Sequence, residues 1–134
     1  GDARNLSFIK NESIDLICMH PPYSNIIRYS MDLKEDISSL PLHEFLNEMN
    51  KVASEAYRVL KKGKVCSLMM GDIRKKGNVI PLGFYVMNTF LHVGFNSKEI
   101  IIKKQHNCKS TGYWNNKSKN FLMLAHEYIF VFTK

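Results

Sequence analysis

Ile14-Asp15-Leu16-Ile17-Cys18-Met19, followed at once by His20-Pro21-Pro22-Tyr23, decides how the rest of the chain is read. The first six residues form a short run rich in branched apolar side chains and closed by two prolines. That is the pattern of a buried strand which stops at its carboxyl end. A loop begins at His20. In open α/β sheets ligands gather outside the carboxyl ends of strands, and a Pro-Pro step there fixes the backbone while withdrawing two N–H donors. What remains is a row of carbonyl acceptors with an aromatic ring beside it. Such a row accepts hydrogen bonds from an exocyclic amino group, and Tyr23 can stack on the ring that carries the group.

Working outward, residues 1–10 read as a strand end and a turn, with Asp2 their only acid. Asn11-Glu12-Ser13 is a polar turn into the strand. Asp15 is expected at the start of that strand or on an exposed edge, because a lone buried carboxylate is costly. Beyond Tyr23, the segment Ser24 to Ser39 reads as a long substrate-facing loop, in which Arg28 suits a phosphate and Tyr29 a base. A surface loop whose aromatic packs down is the alternative. Pro41 opens a helix through Leu60, with Phe45, Met49, Val52, Ala56 and Val59 on one face, and Lys61-Lys62-Gly63 supply its stop signals.

Val65 to Met70 is the second apolar run, read as a buried strand ending at Gly71-Asp72-Ile73-Arg74. With a helix between them, two adjacent parallel strands bring His20 and these polar residues to the same end of a sheet. Asp72 and Arg74 are thus rim candidates, a turn with a local ion pair being the alternative. Lys75 to Asn78 reads as a basic loop. The helix from Pro81 is apolar around most of its circumference, which predicts deep burial, and Gly94 ends it. His92 suits the dipole at that end.

A third strand is expected at about Lys98 to Lys103. From there to Ala125 no Asp or Glu occurs, while Lys103, Lys104 and Lys109 are interleaved with Tyr113, Trp114 and several amides. Cations for phosphates and aromatics for bases are the parts of a nucleic-acid surface. A solvated loop is the alternative. The apolar Tyr128 to Phe132 is the last strand. No internal repeat or low-complexity tract is present.

The tetrapeptide and its surroundings resemble the S-adenosylmethionine-dependent amino-methyltransferases of the N6-adenine and N4-cytosine type. Their motif is Asp, Asn or Ser followed by Pro-Pro and an aromatic residue, at the end of the fourth strand of a doubly wound sheet. Gly1-Asp2-Ala3, the stretch Glu55 to Gly63 and the stretch His126 to Lys134 are similar to further segments of the family, in the same order. The resemblance implies an α/β fold. It would be a partial doubly wound, Rossmann-like sheet of about four strands, the last antiparallel, with helices packed on it. It also implies catalytic roles for His20, Pro21, Pro22 and Tyr23, and a cofactor border at Asp2 and Ala3. His20 stands where the family has Asp, Asn or Ser; neutral imidazole accepts one hydrogen bond, imidazolium none. The family's Phe-x-Gly-x-Gly loop, which brings backbone up to the cofactor, has no counterpart in these residues. The chain therefore reads as the catalytic half of a site-specific DNA amino-methyltransferase of the restriction-modification kind. An RNA base or a protein glutamine as acceptor, or a non-catalytic nucleic-acid-binding or assembly module, are the alternatives.

With 134 residues and 45% apolar content, a single globular domain with a core is expected. The net charge of +7 favours a polyanionic partner, DNA or alternatively RNA. Cys18, Cys66 and Cys108 are an odd number without metal-ligand spacing, so free core thiols and no metal are expected. With no leader of signal-peptide form and no long apolar span, a cytoplasmic protein is expected. Loss of the neighbouring half would leave the strand at Ile14 to Met19 unpaired, which favours a homodimer or a partner fragment at that edge.

Overall fold

A computed structural model describes residues 1–24, 36–105 and 121–134. Arg28, Tyr29, Cys108, Lys109, Tyr113 and Trp114, singled out above, lie outside the described residues. The elements run β1 (Ile14–Met19), a 3-10 turn (Ile37–Ser39), α1 (Leu42–Val59), β2 (Leu60–Met70), β3 (Ile73–Lys75), β4 (Asn78–Ile80), α2 (Leu82–Val93), β5 (Asn96–Lys104) and β6 (His126–Thr133). Four strands make one sheet in the order β1-β2-β6-β5, with β1 and β2 parallel and β6 antiparallel to both its neighbours. This is the mixed α/β sheet expected, and its directions bring the carboxyl ends of β1, β2 and β5 and the amino end of β6 to one edge.

Both helices pack on one face of the sheet. Cys66, Leu68 and Met70 of β2 are directly opposite Phe132, Phe130 and Tyr128 of β6, and all six are buried. Phe45, Met49, Val52, Ala53 and Ala56 of α1 and Leu82, Val86 and Phe90 of α2 complete that core. Phe90 stacks on Phe132 with ring centroids 5.3 Å apart. Phe45, Phe90, Phe130 and Phe132 are fully buried, and each ring of this size removes a large apolar area from water.

Several details differ from the sequence-based expectations. Residues 1–10 contribute no strand end; they form two turns closed by Asn5 N to Asp2 O and Ile9 N to Leu6 O. They are clamped to α1 by Arg58, whose guanidinium donates to the carbonyls of Ile9 and Leu6, and by Glu55, which accepts from the Leu6 N–H. Helix α1 stops at Val59, and Lys61-Lys62-Gly63 belong to β2 instead of a helix terminus. There Gly63 takes φ +71° and donates its N–H to Lys134 O, while Lys61 and Lys64 reach across to Asp15. The register between β1 and β2 shifts at this point, from Ile14 opposite Leu60 to Leu16 opposite Val65.

The basic stretch Lys75 to Asn78 is the turn of a β3–β4 hairpin. Helix α2 is buried on one side only, through Leu82, Gly83, Val86 and Phe90, and Phe84 and Tyr85 reach solvent. Gly94 does end it, at φ +120°. Strand β1 is an edge strand of the described sheet, and on its face opposite the helices Leu16 is 59% exposed and Cys18 is exposed as well, whereas Cys66 is buried. Burial pushes the Cys66 thiol up to about 12. Every residue of β5 is exposed.

Candidate active site

The edge of the sheet where the strand ends converge carries the polar residues. Pro21 and Pro22 leave β1 and turn Tyr23 back toward the sheet, beside the start of β6. The Tyr23 hydroxyl donates to Glu127 Oε1 at 2.8 Å, and His20 Nε2 lies 3.4 Å from the same hydroxyl. Lys103, directly opposite Glu127 across the β5–β6 pair, donates to Oε2 at 2.7 Å. Glu127 is buried. Burial pushes its carboxyl up, but the hydrogen bonds from Lys103 and Tyr23 and the nearby charge of Lys103 outweigh that, so it sits below the ordinary carboxylate range. Gly71, at the end of β2, makes room: a Cβ there would stand 3.0 Å from the Tyr23 oxygen.

A second polar chain lies beside the first. Asp72 accepts from the Gly83 N–H at the start of α2 and from the Tyr128 hydroxyl, with His126 Nε2 3.0 Å from that hydroxyl. Burial and the facing Asp72 charge push the Tyr128 phenol up. Asp72 thus ties β2 to α2 and β6. Arg74 donates to the carbonyls of Gly77 and Leu122 and lies over the Phe121 ring at 4.3 Å, which joins the hairpin to the end of the basic segment. Lys104 is exposed at the end of β5 and has no ion pair among the described residues.

On the other side of the motif, a pocket of about 290 Å³ has Asp2, Ala3, His20, Pro21 and Pro22 on its walls and Met49 and Val52 among its apolar lining. The structure therefore brings together the two groups that the sequence placed 18 residues apart, Asp2-Ala3 and His20-Pro21-Pro22. Asp2 accepts from Arg4 Nε and Nη2, and Arg4 reaches on to Glu48 at 2.7 Å. The bonds from the Arg4 side chain and backbone hold the Asp2 carboxyl below its usual range. An ionised acceptor above an apolar floor suits a ring carrying an amino group. The volume holds only part of a ligand as large as a nucleoside with an amino-acid tail.

Glu127 and Arg4 had no place in the sequence reading, and Gly71 entered it only as the end of a strand. A lone acid at the start of an otherwise apolar strand was the available signal for Glu127, since a buried carboxylate demands partners. Nothing in the local sequence identifies those partners as Tyr23 and Lys103.

Residues 14–134 match the family model of the N6/N4 methyltransferases, described as DNA methylase. The type II methyltransferase M.MjaVI of Methanocaldococcus jannaschii is 30% identical over 107 residues, covering 79% of this chain and 53% of that protein. Among solved structures, the PvuII DNA methyltransferase (cytosine-N4-specific) superposes with a TM-score of 0.75 at 23% identity, over 99% of this chain and 47% of that one. A putative DNA modification methylase from Thermus thermophilus, solved in complex with S-adenosyl-L-methionine, gives a TM-score of 0.72 at 24% identity, over 100% of this chain and 53% of that one. The chain spans about half the length of the curated relatives it matches. With a match over nearly its whole length, and the Pro-Pro-Tyr step at the edge where the strand ends meet, this chain belongs to the DNA methylase family of N6/N4 methyltransferases.

Proposed function

We propose that residues 1–134 form the catalytic portion of a cytoplasmic methyltransferase acting on the exocyclic amino nitrogen of a DNA base, N6 of adenine or N4 of cytosine. The observation that carries this reading is the meeting of His20, Pro21 and Pro22 with Asp2 and Ala3 around one pocket, with Tyr23 held beside it by Glu127. S-adenosylmethionine would supply the electrophilic methyl group, with Asp2 and Ala3 bordering it. An exocyclic amino nitrogen is a poor nucleophile while its lone pair is conjugated with the ring. The Pro21 carbonyl and the His20 imidazole would accept its two hydrogens and draw the lone pair out of conjugation. Tyr23 would stack on the base, whose extrusion from a duplex costs about a few kcal/mol. Positioning then contributes most of the rate, because the reacting atoms need only an in-line approach.

Arg28, Tyr29, Arg74, Lys103, Lys104, Lys109, Tyr113 and Trp114 are the proposed nucleic-acid surface. Of the three that are described, Lys104 supports that role best, since Lys103 is engaged by Glu127 and Arg74 by two carbonyls. The outer edge of β1, unpaired among the described strands and with Leu16 exposed, supports docking of a further segment, a partner fragment or a second copy. The full-length protein, incubated with DNA and labelled S-adenosylmethionine, is expected to place label on an amino nitrogen, and Tyr23→Ala to lose that activity while still folding. Undiminished transfer by Tyr23→Ala would remove Tyr23 from the mechanism. Label on RNA or on a glutamine amide would change the substrate.

A further inference from the structure

Two side chains with ambiguous protons, Tyr23 and His20, are linked in series to one that has none, Glu127. The Glu127 carboxyl lies below the ordinary range and its Oε2 is taken by the Lys103 ammonium at 2.7 Å. Ionised, it can only accept. The Tyr23 hydroxyl has a single proton, and the 2.8 Å bond to Glu127 Oε1 uses it. Toward His20 Nε2, at 3.4 Å, the Tyr23 oxygen therefore has only lone pairs to offer. A second acceptor points the same way: Glu127 Oε1 itself is 3.8 Å from Nε2. Both atoms reward a proton on Nε2 and penalise a lone pair there.

We propose that Glu127 is a positioning residue that sets the tautomer of His20 through the Tyr23 hydroxyl. The neutral imidazole is held with its proton on Nε2, which leaves Nδ1 as its one acceptor. This inference rests on the proposed function, because it supplies the lone pair that His20 needs in order to stand where Asp, Asn or Ser stands in relatives. The direction of the chain is Nε2–H to Tyr23 oxygen, Tyr23 O–H to Glu127 Oε1, and Lys103 to Glu127 Oε2. Among the described residues, the charged groups around His20 are Glu127 on β6 with Lys103 behind it on β5, and Asp2 and Arg4 across the pocket. Asp72 and His126 are committed to Tyr128.

The chain can be reversed without changing its shape. In Glu127→Gln, Lys103 claims the amide oxygen and the amide N–H turns to Tyr23. Tyr23 must then accept from Gln and donate to Nε2, which moves the imidazole proton to Nδ1. Nitrogen-15 spectra of histidine-labelled full-length protein, with His20 assigned by His20→Asn, read this directly. The native protein is expected to show a protonated Nε2 and an unprotonated Nδ1, and Glu127→Gln the opposite. Methyl transfer by Glu127→Gln should fall about a hundredfold, the scale on which one positioned proton acceptor contributes.

In Tyr23→Phe, which keeps the ring and breaks the chain, the preference for Nε2–H should weaken and the Nδ1–H form should become detectable, because only Glu127 Oε1 at 3.8 Å still favours a proton on Nε2. This serves if the Gln variant folds poorly. An Nδ1–H tautomer in the native protein, or spectra unchanged by both substitutions, would overturn the proposal. A flipped tautomer with undiminished methyl transfer would leave the Glu127 assignment standing and sink the acceptor role of His20, so the two ideas fail separately.

Discussion

Gly71 and Tyr23 are packed so closely that a side chain on Gly71 would press on the ring: a Cβ there would lie 3.0 Å from the phenolic oxygen and 3.5 Å from the carbon that bears it. A tyrosine ring is rigid, so it must move as a body. Gly71 has no positive φ, and Ala is therefore conformationally acceptable there. Gly71→Ala should lower methyl transfer about tenfold, about 1.4 kcal/mol of barrier, by pushing the ring a few tenths of an ångström out of place. Thermal melting should change little. Full activity in Gly71→Ala would mean that the position of Tyr23 is not critical.

The clamp on the amino-terminal segment predicts a local rather than a global effect. Arg58→Met removes the donors to Ile9 and Leu6. Amide hydrogens in residues 5–13 should then exchange faster while those of β2 and β6 keep their protection. Because Asp2 walls the pocket, cofactor affinity should fall with little change in turnover at saturation. Uniformly faster exchange across the sheet would show that the clamp supports the whole fold.

Two depressed carboxylates give the acid response its sign. Glu55, held at about 2 by Arg58 and by the Leu6 N–H, and Glu127, where burial is outweighed by Lys103 and Tyr23, are both below their ordinary value of 4.5 in the folded chain. Each contributes stability that is complete above 4.5 and is lost as the pH falls through its own lower value. Glu127→Gln should therefore flatten the fall in stability below pH 4.5. Equal acid sensitivity in native and Gln proteins, measured by denaturant midpoint against pH, would contradict it.

Among the lysines near the end of β5, the roles should separate. Lys104→Gln with Lys109→Gln should reduce the slope of log affinity for DNA against log salt, by about 0.9 for each phosphate no longer neutralised. Lys103→Gln should leave that slope nearly unchanged and lower turnover instead, since it unpairs buried Glu127. The opposite partition would make Lys103 a phosphate ligand and Lys104 a bystander.

The unit β1–α1–β2 was legible because its signals are local: an apolar run cut by Pro21-Pro22, then apolar residues at three- and four-residue steps after Pro41. The end of α1 was not, because Lys61-Lys62-Gly63 is a sound helix terminus in isolation. Only the tertiary neighbours Asp15 and Lys134 draw it into a strand. The β3–β4 hairpin was missed because three-residue strands are too short to show a period. The motif itself could be read from four letters. The carboxylate that holds it lies 104 residues further on, and no spacing rule connects the two.

Strand β6 is the last of these strands in chain order but sits between β2 and β5. During synthesis, β1, α1, β2, α2 and β5 must all leave the ribosome before the strand that joins them exists. Until Thr133 emerges, β2 and β5 present unsatisfied backbone edges and the rings of Phe90 and Phe95 lack the face of Phe132. The sheet therefore closes in one late step, and Tyr23 acquires Glu127 in that same step. A nascent chain stalled short of this strand has the whole motif without the Glu127 bond that β6 brings to Tyr23, so that contact forms only in molecules in which β6 has joined the sheet.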